Sequence, residues 1–438
     1  MVFVLIICCF IILICAYLLF NRSIINPTFL ISLGFFFSSL NLELNQTLWK
    51  FHSSFVVFMI IGGLIMFMVG SYIVSLFFRN KEVISIPKIN FTSLKLRMLL
   101  YAIFQLLLYL VILVFIIRSQ GGGFSPKGIS NSLSSFHEQN LLGLTSLPGI
   151  LNILNILNMS GVYLLFYLLF YFKFNKGMIP KSILLNVIIA LVGSLFTGNR
   201  TVFTMYVVAM FIIYYFDKQK SEKKLAILNF KSFFFLLLII VLFFMLFLAI
   251  TSLQGRNQSN MSLVYNLSTY LGGPLKNLEI FVNKNIIINQ IFGGQTFMNT
   301  YNWLSTSFGI PNFKITSLYN YNWIFESGLG NVYSIYMPLY SDFGLYGTFV
   351  FMFFLGIFSQ YIYSSALFKK PKYQISYFTI FYSYLGFSLI MSFFSNKIGE
   401  SIFSRAGLYF IIGLWIFDLL LCRPILSNGE YRDGFKKN

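Results

Sequence analysis

The chain has 438 residues, 58% of them hydrophobic and 10% charged, with 55 Phe and a formal net charge of +19. So little polar surface excludes a water-soluble domain of this length. It predicts an all-α polytopic membrane protein, a bundle of about eleven transmembrane helices in a lipid bilayer. The positive charge then reads as basic loops on one membrane face, and nucleic acid is excluded as a partner.

The elements are read in chain order. The first span, 2–20, has no basic residue before it, and Arg22 follows it. That is the pattern of a retained helix with its N-terminus outside, not of a cleaved leader. Spans at 27–40, 54–78 and 98–117 come next. Residues 118–148 are Gly/Ser-rich from Gln120 to Pro126 and are predicted as a flexible outer loop. A span at 149–172 follows.

Ser182 to Phe216 reads as one apolar run, yet it holds Arg200 within Gly193-Ser194-Leu195-Phe196-Thr197-Gly198-Asn199-Arg200-Thr201. A single helix there would be roughly 50 Å long against a hydrocarbon core of about 30 Å. Two spans, 183–197 and 201–216, joined by a turn that presents Arg200 at a membrane face, fit better. After a span at 232–251 comes a large outer loop, 252–335. Its amphipathic stretches at 264–271, 275–282 and 297–308 are predicted to be helices lying on the membrane. Spans at 344–367, 374–395 and 403–421 complete the single membrane domain, 1–438. Alternate connections carry the Lys/Arg clusters at 79–97, 173–181, 218–231, 369–372 and 423–437. This places them, and the C-terminus, in the cytoplasm.

Chemistry is sought on the opposite face. Cys8, Cys9, Cys15 and Cys422 lie in or beside spans, His52 and His137 are far apart, and no HExxH, CxxC or Walker pattern occurs. No metal and no cofactor is predicted. Arg200, Arg256 and Arg405, with Lys397, are the outer cations. A guanidinium stays charged and its fork matches two phosphate oxygens, so three at one face suit a pyrophosphate. The alternative is a structural pair with a carboxylate such as Glu400 or Asp342. Asp342 follows Pro338, which predicts a broken helix dipping into the membrane. There it would serve as a general base or, structurally, as a helix N-cap. Glu400 is the rival base. Tyr333 and Tyr336 belong to an aromatic-rich outer loop that suits either a sugar groove or an interfacial belt.

Three local patterns carry a resemblance: Thr197-Gly198-Asn199-Arg200-Thr201; Tyr270-Leu271-Gly272-Gly273-Pro274-Leu275 with Phe292-Gly293-Gly294-Gln295-Thr296-Phe297; and Asn331 through Asp342-Phe343-Gly344-Leu345-Tyr346-Gly347. With the topology, they resemble the bacterial O-antigen and capsule repeat-unit polymerases of the Wzy type. Asn199 stands where that family often has Ser. The resemblance implies a fold similar to the large membrane glycosyltransferases and a metal-independent polymerase at the outer face of the bacterial inner membrane. Its substrates would be undecaprenyl-diphosphate-linked oligosaccharides, and a chain-length regulator protein is an implied partner. The growing glycan moves from its lipid diphosphate to the non-reducing end of an incoming unit. Arg200, Arg256 and Asp342 would be catalytic, with Arg405, Glu400, Tyr333 and Tyr336 binding substrate. An O-antigen ligase and a lipid-linked oligosaccharide flippase are the alternatives.

Overall fold

A computed structural model describes residues 1–86, 94–141, 144–196, 200–223, 263–284, 291–324, 327–371 and 375–423. Its helices are α1 (Val2–Leu19), α2 (Pro27–Leu44), α3 (Gln46–Trp49), α4 (Ser54–Leu76), α5 (Leu94–Ser119), α6 (Pro126–Leu141), α7 (Gly149–Asn175), α8 (Lys181–Leu195), α9 (Arg200–Glu222), α10 (Leu263–Leu271), α11 (Gly273–Asn283), α12 (Met298–Phe308), α13 (Tyr336–Phe368), α14 (Tyr377–Ile390) and α15 (Arg405–Leu421). Among the described residues seven are long and apolar enough to cross a membrane: α1, α2, α4, α5, α7, α9 and α13. The span expected at 232–251 lies outside the described residues.

Local chemistry sets several helix starts. Asn26 accepts the Thr28 amide at 2.9 Å and Pro27 opens α2. Ser53 accepts the Val56 amide at the head of α4, and Ser404 accepts that of Ala406 at the head of α15. Long-range bonds join ends that an up-and-down bundle puts on one side. Ile335 donates to the Ser392 carbonyl and Ser38 to that of Leu271 on the face that carries the large loop. Ile84 donates to Leu367 and Tyr363 to Ser23 on the opposite face, where Arg79, Lys81, Lys173, Lys369 and Arg423 gather. These two ends are the loop face and the basic face.

The core has two halves. In one, α4 packs on α13 with backbones nearly touching: a Cβ on Gly70 would lie 2.1 Å from the Phe353 carbonyl oxygen, and one on Gly356 2.2 Å from that of Phe67. Small residues allow such an approach where water cannot drive packing. In the other half α7 is enclosed, every residue from Asn158 to Phe172 being buried. A helix apolar all round belongs in the interior. Helices α5, α8, α9 and α15 surround it, and α14 bridges the halves by packing on α9 and α13.

Two expectations meet a different structure. Residues 126–141, read as flexible, form α6, which lays Leu133 and Phe136 onto Leu108, Ile112 and Ile116 of α5. Glycines announce a turn, but the apolar residues beyond them found a helix face to cover. Pro338 sits in the first turn of α13, where its missing amide costs nothing. The break falls at Gly344, whose φ of 65° and ψ of −170° are not helical.

Candidate functional site

The outer loop forms a cap over the loop face. Leu275, Leu278, Phe281 and Val282 of α11 are buried against the bundle. A helix with that face covered by protein is not a surface anchor. Glu279 accepts the His52 and Ser53 amides, each at 2.6 Å, at the head of α4, and pairs with Lys276. A carboxylate suits the positive end of a helix. Asn277 donates to the Gly330 and Val332 carbonyls and accepts from Asn322. The hairpin of β1 (Asn322–Ile324) and β2 (Ser327–Gly330) is thereby held down.

Asp342 lies two residues before the Gly344 break and reaches into the cap. Its Oδ1 accepts the Gln295 amide at 3.1 Å; its Oδ2 accepts the Thr296 amide at 2.6 Å and the Thr296 hydroxyl at 2.7 Å. On its other side the Thr296 carbonyl accepts from Asn396, and a Cβ on Gly399 would lie 2.1 Å from it. The Gln295–Thr296 turn is thus pinned between α13 and the 396–402 segment. These donors belong to a turn distant in the chain.

Glu400 pairs with Lys397 and keeps a side-chain exposure of 32%. Tyr319 stands near both carboxyl groups. Burial, then the charges of Glu400 and Asp342, push its phenol well above the ordinary value, so it stays a hydrogen donor. Asp342, Glu400 and Tyr319 therefore form one polar patch on the loop face. Arg405 opens α15 beside it, half-buried over the Tyr409 ring at 5.6 Å. It is in none of the ion pairs found among the described residues.

Tyr333 and Tyr336 are placed otherwise. Tyr336 is fully buried, donates its hydroxyl to the Ile60 carbonyl at 2.9 Å, and meets Phe35 edge-on. It packs α13 on α4. Tyr333 donates to the Asn320 carbonyl and accepts from Asn322, which fixes the hairpin. Both hydroxyls are engaged by protein. Arg200 is the first residue of α9 and so stands on the loop face, on the α7 side of the bundle. Its side chain, and all of Arg256, lie outside what is described.

A feature the sequence did not single out lies along α5. An apolar groove of about 600 Å³ runs along α5, lined by Leu107, Leu110, Val111, Phe115 and Leu151, and ends at Arg118 and Ser119 on the loop face. Phe196, four residues before Arg200, packs on the same apolar cluster as Phe115 and Leu151. That cluster joins the wall of the groove to the end of α8. The signal available was Arg118, which closes an apolar span. A second hollow, about 340 Å³, lies on the basic face between α1, α4 and α13.

The arrangement defines a class: an all-α polytopic membrane protein with a capped loop face on which cations meet a polar patch and an apolar groove. No family model, curated protein or solved structure matches the chain.

Proposed function

We propose that this chain is a glycan polymerase acting on undecaprenyl-diphosphate-linked repeat units, with the loop face outside the bacterial inner membrane and the basic face in the cytoplasm. The observation that carries the reading is the groove along α5. A long apolar chain would lie along Leu107, Leu110, Val111 and Phe115, and its diphosphate would then meet Arg118 on the loop face.

The chemistry follows from that placement. Transfer breaks the bond between the glycan's anomeric carbon and the diphosphate and forms one to an acceptor hydroxyl. Negative charge grows on the departing diphosphate, and guanidinium groups fixed beside it stabilise that charge. Arg200 and Arg118 take the donor diphosphate in this scheme, with Arg256 and Arg405 left for the acceptor lipid. The acceptor hydroxyl must lose a proton. Asp342 holds the Gln295–Thr296 turn, so the more exposed Glu400 is the better base of the two.

The test is a glycan ladder in cells that carry the chain as their sole copy. Arg200→Ala leaves single repeats on the final carrier with expression unchanged, and Arg200→Lys restores little because one ammonium does not replace a two-pronged contact. Wild-type chain lengths in Arg200→Ala would refute the reading. Without the chain, lipid-linked polymer that is never attached marks a ligase, and units stranded on the inner leaflet mark a flippase.

A further inference from the structure

Asp217 sits near the basic-face end of α9 with no exposed surface, and neither carboxylate oxygen has a hydrogen-bond partner. Lys220, three residues on, is 1% exposed. Its Nζ bonds the Thr379 hydroxyl of α14 at 2.7 Å, in contact with that of Ser376, and lies over the Phe216 ring. The two side chains do not form an ion pair: those among the described residues are Lys276–Glu279, Lys397–Glu400 and Arg423–Asp418.

Among the described residues, the other titratable groups around them do not supply a counter-charge. From α7, Tyr167 feels the Asp217 charge, and Tyr171 and Cys422 lie near Tyr167 in turn. Tyr363 of α13 and Tyr382 of α14 pack on Phe216, with their hydroxyls given to Ser23 and to the Ile25 carbonyl. Asp418 of α15 is taken by Arg423 and Tyr377. Two buried ions that do not touch would each carry the full desolvation penalty of a charge in a membrane bundle. Moving one proton removes both charges at once.

We propose that Asp217 and Lys220 form a proton-binding site in which one exchangeable proton is shared. It leaves the Lys220 ammonium and rests on the Asp217 carboxylate, giving a neutral acid and a neutral amine. The amine keeps its bond to Thr379. Raising the pH takes the proton from Asp217 and leaves a bare carboxylate with no donor. Lowering it charges Lys220, which at least retains the Thr379 oxygen. The hold of α9 on α7 and α14 therefore weakens more on the alkaline side than on the acid side. This holds whatever the loop face does.

Infrared spectra of the full-length chain in lipid nanodiscs, taken across pH, test the site. At neutral pH the wild type shows a protonated-carboxyl stretch that Asp217→Asn lacks, while Asp217→Asn, an isostere of the neutral acid, unfolds at the wild-type temperature. The band fades as the pH is raised, and the unfolding temperature falls with it. Lys220→Met leaves that fading at the wild-type pH, because the amine beside the acid is already neutral when Asp217 ionises. A wild-type spectrum in which Asp217→Asn removes only ionised-carboxylate intensity at neutral pH overturns the proposal. So does a Lys220→Met fading moved to higher pH, which would show that an ammonium stood beside the carboxylate. Should Lys220→Met fail to fold, the comparison of wild type with Asp217→Asn decides alone.

Discussion

Single side chains of one type do opposite work here according to what surrounds them. Three carboxylates make the point. Glu279 accepts two amides at the head of α4, Asp342 accepts two amides and a hydroxyl from one turn, and Asp217 accepts nothing. Glu279→Gln keeps the shape and loses the charge, both from the helix end and from the Lys276 pair. Charge-assisted bonds of this sort contribute roughly 1.5–3 kcal/mol each, so a loss of about 2 kcal/mol is expected in chemical unfolding. A change indistinguishable from zero would show that the carboxylate is not the cap. Tyr336→Phe separates packing from substrate binding. It deletes the bond to Ile60 and nothing else, so stability should drop by about 1 kcal/mol with the glycan ladder intact. Shortened glycans at unchanged stability would return Tyr336 to the site.

At the scale of elements, glycine decides where helices meet and where they break. The α4–α13 contact rests on Gly70 and Gly356, each facing a carbonyl oxygen of the other helix that a methyl group would strike. Backbone cannot yield as a flexible side chain does. Gly70→Ala and Gly356→Ala should each cost about 1–3 kcal/mol or more. Gly149→Ala, at the start of α7 with no atom within 4 Å, is the neutral control. Gly344 isolates a different cost. Nothing crowds its position, but its positive φ is one that a side chain disfavours. Gly344→Ala should therefore lose about 1–3 kcal/mol through the backbone alone. If thermal melts order these variants by side-chain volume and not by position, the backbone account is wrong.

For the whole molecule, sidedness is the testable property. Single cysteines placed in a background lacking the native four report it through a membrane-impermeant thiol reagent added to intact cells. Positions in the α6 region and the β1–β2 hairpin should react, while those between α7 and α8, and at 369–371, should react only after permeabilisation. The opposite pattern would invert the topology and put the Arg200 turn in the cytoplasm, where the proposed chemistry has no substrate. Both hydrogen-bonded ends and charge agree on the grouping of these segments, because a bundle of alternating helices has only two ends to share.

Composition and period made the membrane class legible from the residues alone. So was the split of 182–216, because a bilayer fixes span length and permanent charge is costly inside it. The helices of the outer segment were legible too, from their amphipathic spacing. What tertiary structure decided was which faces are covered. The cap helices carry an apolar stripe that suits lipid or protein equally, and only packing showed that α11 rests on the bundle. Tyr333 and Tyr336 read as available until their hydroxyls were seen to end on Asn320 and Ile60. Neither Asp217 nor the α5 groove was singled out along the chain. Pattern along a chain encodes solubility and period locally, whereas burial and hydrogen-bond partners depend on residues hundreds of positions away.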